Sequence, residues 1–175
     1  MKIRLAVPAD ALAIAALHAS SWASTYGGVP RPECLRDRAP QERRALWQAR
    51  FENPSDNQVV LAALDDGERL LALACVFTLQ HPEWGSYLDN LHVRPAHRGG
   101  GAGAALLIEV AAACERRERG HGLYLLVNQA NEGAQRFYRR YGARYAEDSV
   151  WNAPDGSVVP TFRFAWPSTA EIVAR

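Results

Sequence analysis

The sequence has little of three features that often identify a protein's class. It has three cysteines, Cys34, Cys75 and Cys114, whose odd number and wide spacing argue against a disulfide framework and fit no zinc site. Lysine occurs once, at Lys2, and the net charge is only +1, so no nucleic-acid surface is predicted. No apolar run approaches the length of a membrane span. We therefore expect no disulfide, no metal, no nucleic-acid partner and no membrane association.

The remaining composition is that of an ordinary globular protein. Hydrophobic residues make up 48% of the 175 positions and charged residues 22%. This length is enough for one well-packed core. We expect a single domain over residues 1–175, with its core ending near residue 166. Residues 1–7 alternate like a strand and resemble no signal peptide, so a cytoplasmic protein is expected.

Apolar periodicity predicts strands and helices in mixed order. The predicted strands lie at 3–7, 58–64, 69–79, 86–93 and 123–128, with a closing pair on either side of 154–156. The predicted helices follow Pro8, Pro40 and the glycines at 99–103, and a fourth covers 131–141. This order indicates an α/β fold with helices on both faces of a sheet.

The most informative segment is LHVRPAHRGGGAG, at residues 91–103. An apolar strand leads through Pro95 to Arg98 and four glycines, and an alanine- and leucine-rich helix follows at once. Glycine lets the backbone approach an anion closely, and the first N–H groups of a helix have no intrahelical partner. A guanidinium adds a planar fork suited to a phosphate. The segment therefore predicts a phosphate-binding loop.

Two common phosphate-binding motifs fit this segment incompletely. A P-loop needs a lysine and a hydroxyl after its last glycine, but Gly103 is followed by Ala104. Gly99, Gly101 and Ala104 satisfy the dinucleotide pattern G-x-G-x-x-A. That pattern also calls for an acidic residue at the end of the next strand, where this chain has Asn128. The residues after Gly103 disfavour a P-loop, and the dinucleotide site stays open as the stronger of these two alternatives.

A second motif favours a third interpretation. Arg98, Gly101 and Gly103 form R-x-x-G-x-G, and residues 131–143 read NEGAQRFYRRYGA. With these two motifs the chain resembles the GNAT family of acyl-CoA-dependent N-acetyltransferases, over nearly its whole length but specifically in its central third. The resemblance implies a mixed, mostly antiparallel sheet of about seven strands flanked by helices. It also implies direct acetyl transfer from acetyl-CoA to a primary amine of a small molecule or peptide.

The resemblance further assigns residues to the co-substrate acetyl-CoA. The backbone of residues 91–93 would hold the pantetheine arm and polarise the thioester carbonyl, and the glycine loop would bind the pyrophosphate. Asn131 would either cap its helix or bond the pantetheine, and both roles suit asparagine. The complete predicted set is Leu91, His92, Val93, Arg98, Gly99, Gly100, Gly101, Ala102, Gly103, Ala104, Asn131 and Tyr138.

Two residues are predicted to act in catalysis. Tyr138 stands where the family carries its general-acid tyrosine, although its helical spacing also fits a core aromatic. A base is needed because an ammonium with a pKa of about 10 must lose a proton before it attacks. Asp89, which shares strand parity with Leu91 and Val93, is the first choice. A solvated carboxylate is the alternative for Asp89, and Glu83 or a water chain could serve instead.

The acceptor is the least constrained prediction. Trp22, Tyr26 and Trp84 lie in or near regions that line the acceptor cleft of the family, which implies an apolar or flat amine, although such aromatics also occupy cores. His92 has the opposite parity to the binding-strand residues, so a packed or surface histidine is favoured over a catalytic one. We expect a monomer or homodimer. A catalytically silent acyl-CoA-binding or interaction protein is the alternative to an enzyme.

Overall fold

The computed structural model describes residues 1–26, 33–117, 119–152, 156 and 158–173, with the side chains of 22–26 and 33–39 outside that description. The elements in chain order are β1 (Lys2–Leu5), α1 (Ala11–Tyr26), α2 (Glu33–Glu52), β2 (Gln58–Leu64), β3 (Leu70–His81), β4 (Gly85–Val93), α3 (Ala102–Arg117), β5 (Leu123–Asn128), α4 (Glu132–Arg140), β6 (Arg144–Asn152), β7 (Val158–Trp166) and α5 (Ala170–Val173). Single 3₁₀ turns cover Pro8–Asp10 and Pro95–His97.

The strands form one mixed seven-stranded sheet in the order β1-β2-β3-β4-β5-β7-β6. Strands β4 and β5 are parallel, as expected where a helix, here α3, connects them. The pairs β1–β2, β5–β7 and β6–β7 are antiparallel. The predicted α/β class, with a mixed sheet of about seven strands flanked by helices, is confirmed.

Helix α2 begins earlier than the sequence predicts. A residue before proline is biased away from the helical region, so the start was expected after Pro40. The helix instead begins at Glu33 and carries Pro40 in its interior. An interior proline removes one helical hydrogen bond and costs about 3 kcal/mol. Trp47, fully buried in the same helix, supplies burial that offsets a large part of this cost.

The chain forms two compact units. The first comprises residues 1–75 and 90–106, and the second comprises residues 76–89 and 107–175. Fully buried side chains of the first unit are Ile14, Leu17, Trp47 and Leu73. Those of the second are Leu107, Val110, Leu123, Phe164, Trp166 and Ile172. Each unit therefore has its own set of core residues, and the expectation of a single domain stays a prediction.

In the second unit, two glycines hold the beginning of β4 close to the residue before β5. A Cβ atom on Gly85 would lie 2.2 Å from the carbonyl oxygen of Gly122, and one on Gly122 would lie 2.9 Å from that of Trp84. Both distances are shorter than real Cβ contacts. Gly85 also has a φ of +78°. Only glycine permits this close approach, which is completed by a 2.9 Å hydrogen bond from Ser86 N–H to Gly122.

Candidate functional site

The glycine loop of the first unit has open space beside its backbone. Gly99 and Gly101 have φ angles of +82° and +86°, in the region that side chains rarely adopt. Among the described residues, no atom lies within 4 Å of a Cβ built on either glycine. Backbone conformation, not crowding by neighbours, therefore requires glycine at these two positions. The space next to the loop is available to a ligand.

The same loop leads directly into the N-terminus of α3. The N–H of Ala105 bonds to the carbonyl oxygen of Gly101 at 3.0 Å. The N–H groups of Ala102, Gly103 and Ala104 precede this bond and therefore have no i−4 partner within the helix. Partial positive charge gathers at such a terminus and attracts anions. The local geometry is the one that an anion-binding loop needs.

The loop also carries a positive side chain. Arg98 is exposed immediately before the first glycine. Its charge, together with that of Arg43, contributes to lowering the pKa of His92, after the larger effect of burial. These charges disfavour a second positive charge on His92, and the charge of Arg98 would attract a phosphate.

The last residues of β4 precede the loop in the chain. Asn90 is buried, whereas Leu91, His92 and Val93 are partly exposed. The imidazole of His92 lies 3.1 Å from Ser21 Oγ through Nδ1 and 3.1 Å from Asn90 Oδ1 through Nε2. A carbonyl oxygen only accepts, so Nε2 carries the proton and Nδ1 accepts from the serine hydroxyl. His92 is thus a packed histidine with both ring nitrogens engaged.

A second histidine belongs to the same buried cluster. His18 of α1 stacks on His92 with ring centroids 4.6 Å apart, and its Nδ1 accepts a 3.1 Å hydrogen bond from Trp47 Nε1–H. Burial lowers the pKa of His18 to about 2 and that of His92 to about 4. Both rings are therefore neutral at physiological pH. Trp47 is fully buried and belongs to the core.

In the second unit, Asn131 acts as the N-cap of α4. Its Oδ1 accepts a 3.1 Å hydrogen bond from the N–H of Ala134. The cap satisfies one of the N–H groups that a helix start leaves unpaired. Of the two roles that suit this asparagine, the structure shows capping. The side-chain amide group is not used by the cap.

Tyr138 lies on the buried side of α4. Its ring packs edge-on against Phe137 at 5.1 Å and Trp166 at 6.1 Å between centroids, and 8% of the residue is exposed. Among the described residues, none forms a hydrogen bond with its hydroxyl. Burial raises the pKa of Tyr138 well above its ordinary value. The phenol therefore keeps its proton throughout the neutral and mildly alkaline range.

Asp89 lies on β4, within the second unit, and is partly exposed. Two residues before it, Tyr87 is aligned with Tyr124 of β5, and the two rings stack at 5.0 Å. Alternate residues of a strand point to the same face. Asp89 therefore shares a face with Tyr87, Tyr124 and Leu126.

The same face continues across β7 and β6. Arg163 is aligned with Leu126 on one side and with Glu147 on the other. Its Nη1 group bonds to Glu147 Oε1 at 2.9 Å, and its guanidinium carbon lies 5.1 Å from the ring centroid of Trp84 and 5.2 Å from that of Tyr124. Sequence reasoning missed Arg163, because no motif covers β7. An arginine inside the apolar strand VVPTFRFAW was the available signal.

The other sequence predictions have mixed outcomes. The side chains of Trp22 and Tyr26 lie outside the described residues, while Trp84 is partly exposed. Within the ranges that the structure describes, no group of three or more histidine, cysteine or acidic residues could hold a metal ion. None of the helices formed by those residues is both long and apolar enough to cross a membrane.

Comparison with known proteins identifies one family. A family model described as "Acetyltransferase (GNAT) family" matches residues 16–143. No curated protein sequence matches the chain.

Solved structures share the fold at low sequence identity. The PaiA N-acetyltransferase from Thermoplasma acidophilum, in complex with coenzyme A, aligns with a TM-score of 0.73 at 17% identity, covering 94% of this chain and 96% of that one. A ribosomal-protein-alanine N-acetyltransferase from Brucella melitensis has a TM-score of 0.67 and 22% identity, covering 95% and 99%. A GNAT-family acetyltransferase from Staphylococcus aureus Mu50 has a TM-score of 0.67 and 16% identity, covering 94% and 96%.

Proposed function

Since the chain belongs to the acetyltransferase (GNAT) family and is therefore an acyltransferase, we propose that it moves the acetyl group of acetyl-CoA directly to a primary amine of a small molecule or peptide. The observation that carries this proposal is the open, glycine-lined loop between Arg98 and the N-terminus of α3. We further expect the enzyme to act in the cytoplasm as a monomer or homodimer.

The glycine loop would bind the pyrophosphate of acetyl-CoA. The N–H groups of residues 99–104 and the guanidinium of Arg98 supply several donors of one sign. Each charge interaction at a helix terminus contributes about 0.3–1 kcal/mol, so affinity requires several acting together. The positive φ of Gly99 and Gly101 supports this assignment, because it lets the backbone face the ligand without side chains between them.

Transfer would take place at the thioester carbonyl. The amine nitrogen attacks the carbonyl carbon, the C–S bond then breaks, and the thiolate of CoA leaves. Backbone groups of Leu91, His92 and Val93 would hold the pantetheine and stabilise the developing oxyanion. The side-chain NH₂ group of Asn131, which bonds to none of the described residues, is a candidate for a further pantetheine contact. No acyl-cysteine is needed, and Cys75 and Cys114 are buried.

Tyr138 would donate a hydrogen bond to the leaving thiolate. Its raised pKa lies above that of a thiol, so the phenol always carries the proton that a donor needs. Because the phenol has the higher pKa, complete transfer of its proton to the thiolate is energetically unfavourable. Tyr138 would therefore stabilise the thiolate mainly as a hydrogen-bond donor, and the proton that the amine releases balances the reaction.

Asp89 would accept the proton of the acceptor ammonium. A carboxylate does so directly or through one water molecule, and a well-placed base contributes about 10²–10⁴ in rate. Partial exposure of Asp89 supports this proposal, because both the substrate and water need access to the base. Glu83, which is exposed just before β4, is the natural comparison residue.

The proposal is tested by two measurements on the same protein. Thermal stabilisation by acetyl-CoA, with NAD as the competing ligand, tests the assignment of the loop. Release of free CoA thiol over a panel of primary amines tests transfer. We expect stabilisation by acetyl-CoA alone and amine-dependent thiol release. Stabilisation without release across the panel would instead establish a silent acyl-CoA binder, and stabilisation by NAD alone would restore the dinucleotide alternative.

A further inference from the structure

The guanidinium of Arg163 is held between two aromatic rings in the second unit. Trp84 comes from the turn before β4 and Tyr124 from β5, and both ring centroids lie within 5.2 Å of the guanidinium carbon. Aromatic faces attract a cation and also fix the plane of a guanidinium. The side chain of Arg163 keeps 17% of its surface exposed. Arg163 is thus a cation in contact with two aromatic rings, and solvent still reaches it.

The hydrogen bonding of Arg163 is incomplete. Among the described residues, Nη1 alone has a partner, Glu147, while Nε is buried and bonds to none of them. Nη2 likewise bonds to none of the described residues, but it is not enclosed. A guanidinium has five N–H donors in a planar fork, so most of its capacity is unused. A buried donor without a partner is costly, so its presence calls for an explanation.

Arg163 also faces the same side of the sheet as Asp89. Strands β4 and β7 are separated by β5, which corresponds to about 10 Å between their backbones. The guanidinium covers part of that distance, because it lies over the ring of Tyr124 on β5. The carboxylate of Asp89 and the incompletely paired guanidinium therefore lie on one face, about one strand spacing apart across the sheet and about two residues apart along the strands.

We propose that Arg163 binds a carboxylate group of the acceptor, so that the acceptor class is a primary amine that carries a carboxylate, such as an amino acid. This inference rests on the proposed acetyl transfer to an amine. The ammonium of such an acceptor would face Asp89 while its carboxylate accepts from the Nη2 edge of Arg163. Trp84, predicted from sequence to line the acceptor region, would act by holding Arg163.

Glu147 is the group that competes with this role. Its carboxylate occupies Nη1, and its side chain is 49% exposed. Glu147 orients the guanidinium, but its negative charge also weakens attraction for a second carboxylate. Replacing it by glutamine keeps an oxygen that accepts from Nη1 and removes the charge. The effect of this replacement therefore distinguishes a binding arginine from a purely structural ion pair.

The test compares matched acceptors with the intact enzyme and acetyl-CoA. The proteinogenic amino acids are assayed beside the amines formed from them by decarboxylation, and kcat/KM is measured for both members of each pair. Each pair shares its side chain and its amino group. For the preferred side chain, we expect the amino acid to exceed its decarboxylated partner by about 10- to 100-fold, the range for a charge-assisted hydrogen bond. Equal values, or preference for the decarboxylated amine, would overturn the inference.

Variants test whether Arg163 is the residue that causes the preference for an acceptor with a carboxylate. Arg163→Gln should lower kcat/KM for the amino acid far more than for the decarboxylated amine and so remove the advantage of the amino acid, while Arg163→Lys should keep part of that advantage. Glu147→Gln should preserve or increase the advantage. The control is Arg69→Gln, which removes an arginine from an exposed ion pair with Asp65 and should not alter the ratio. Equal loss of both substrates in Arg163→Gln and Arg163→Lys would assign Arg163 a structural role.

The role of Arg163 and the acetyl transfer itself are refuted by different results. Turnover of amines without any preference for a carboxylate would refute the role of Arg163 and leave acetyl transfer standing. Absence of turnover with every member of the panel would refute the proposed function, and the inference with it.

Discussion

The imidazole rings of His18 and His92 stack with their centroids 4.6 Å apart in the first unit. Two neutral rings pack well at this distance, whereas two imidazolium ions would repel each other in a buried site. The charges of Arg43 and Arg50 act on His18, and those of Arg43 and Arg98 act on His92, in the same direction as burial. The stacked pair therefore requires both rings to be neutral.

This requirement predicts that stability falls on mild acidification. The unfolded chain protonates histidine near a pKa of about 6.5, but the folded rings resist protonation down to about pH 4 for His92 and about pH 2 for His18. The unfolded state thus binds more protons as the pH falls below about 6.5, and the free energy of unfolding decreases. Between about pH 7 and about pH 5 the loss is roughly 2 kcal/mol for each ring.

Urea titrations at the two pH values measure this loss. The variant His92→Asn should show about half of the pH dependence of the native chain, because only one ring then resists protonation. Equal free energies of unfolding at both pH values in the native chain would refute the expectation.

A second prediction concerns the glycine loop. Gly101→Ala places a methyl group at a φ of +86° and in the open space beside the loop, so acetyl-CoA affinity should fall at least tenfold. Isothermal titration with acetyl-CoA measures the change. Gly120→Ala is a matched control, since Gly120 has a φ of +80° and a similarly open Cβ position among the described residues. Both variants should lose about 1 kcal/mol of stability, but only the first should lose affinity.

A third prediction concerns Tyr138. Tyr138→Phe should lower kcat by about 10²-fold, because the thiolate loses a donor, with little change in acetyl-CoA affinity. Because the pKa of Tyr138 is raised, the phenol should contribute no fall in rate up to about pH 10. Single-turnover rates over this pH range measure both effects. Unchanged turnover in the variant would leave Tyr138 as a core aromatic, packed on Trp166.

A fourth prediction concerns Asp89. Asp89→Asn should lower kcat/KM at neutral pH by at least tenfold, and the deficit should shrink as the pH approaches the pKa of the acceptor ammonium, about 10. Glu83→Gln is the control, and it should follow the native pH profile. If Glu83→Gln instead shows the fall in kcat/KM at neutral pH, the base lies in the turn before β4. A native profile in both variants would indicate a water chain.

The sequence predicted what local patterns determine. Alternating strands, the cap at Asn131 and the glycine loop before α3 depend on neighbouring residues and were found where expected. The predicted start of α2, after Pro40, was wrong. The local preference against helix before a proline is overridden there by tertiary packing.

Contacts that depend on strand order could not be predicted from the sequence. Arg163 meets Trp84 and Tyr124 only because β7 lies beside β5, and no spacing in the chain encodes that register. The partnership of His18 with His92 likewise joins a helix to a strand far along the chain. Such pairs become visible only when the fold brings them together.

The close approach of Gly85 and Gly122 also shapes how this protein could acquire new acceptors. A library of random substitutions, selected for acetylation of unfamiliar amines, should recover almost no change at either glycine, because any side chain collides with backbone there. Trp84, immediately before one of these glycines, has no such restriction and contacts Arg163. Variation in specificity should therefore accumulate at Trp84, directly beside a glycine that accepts no side chain.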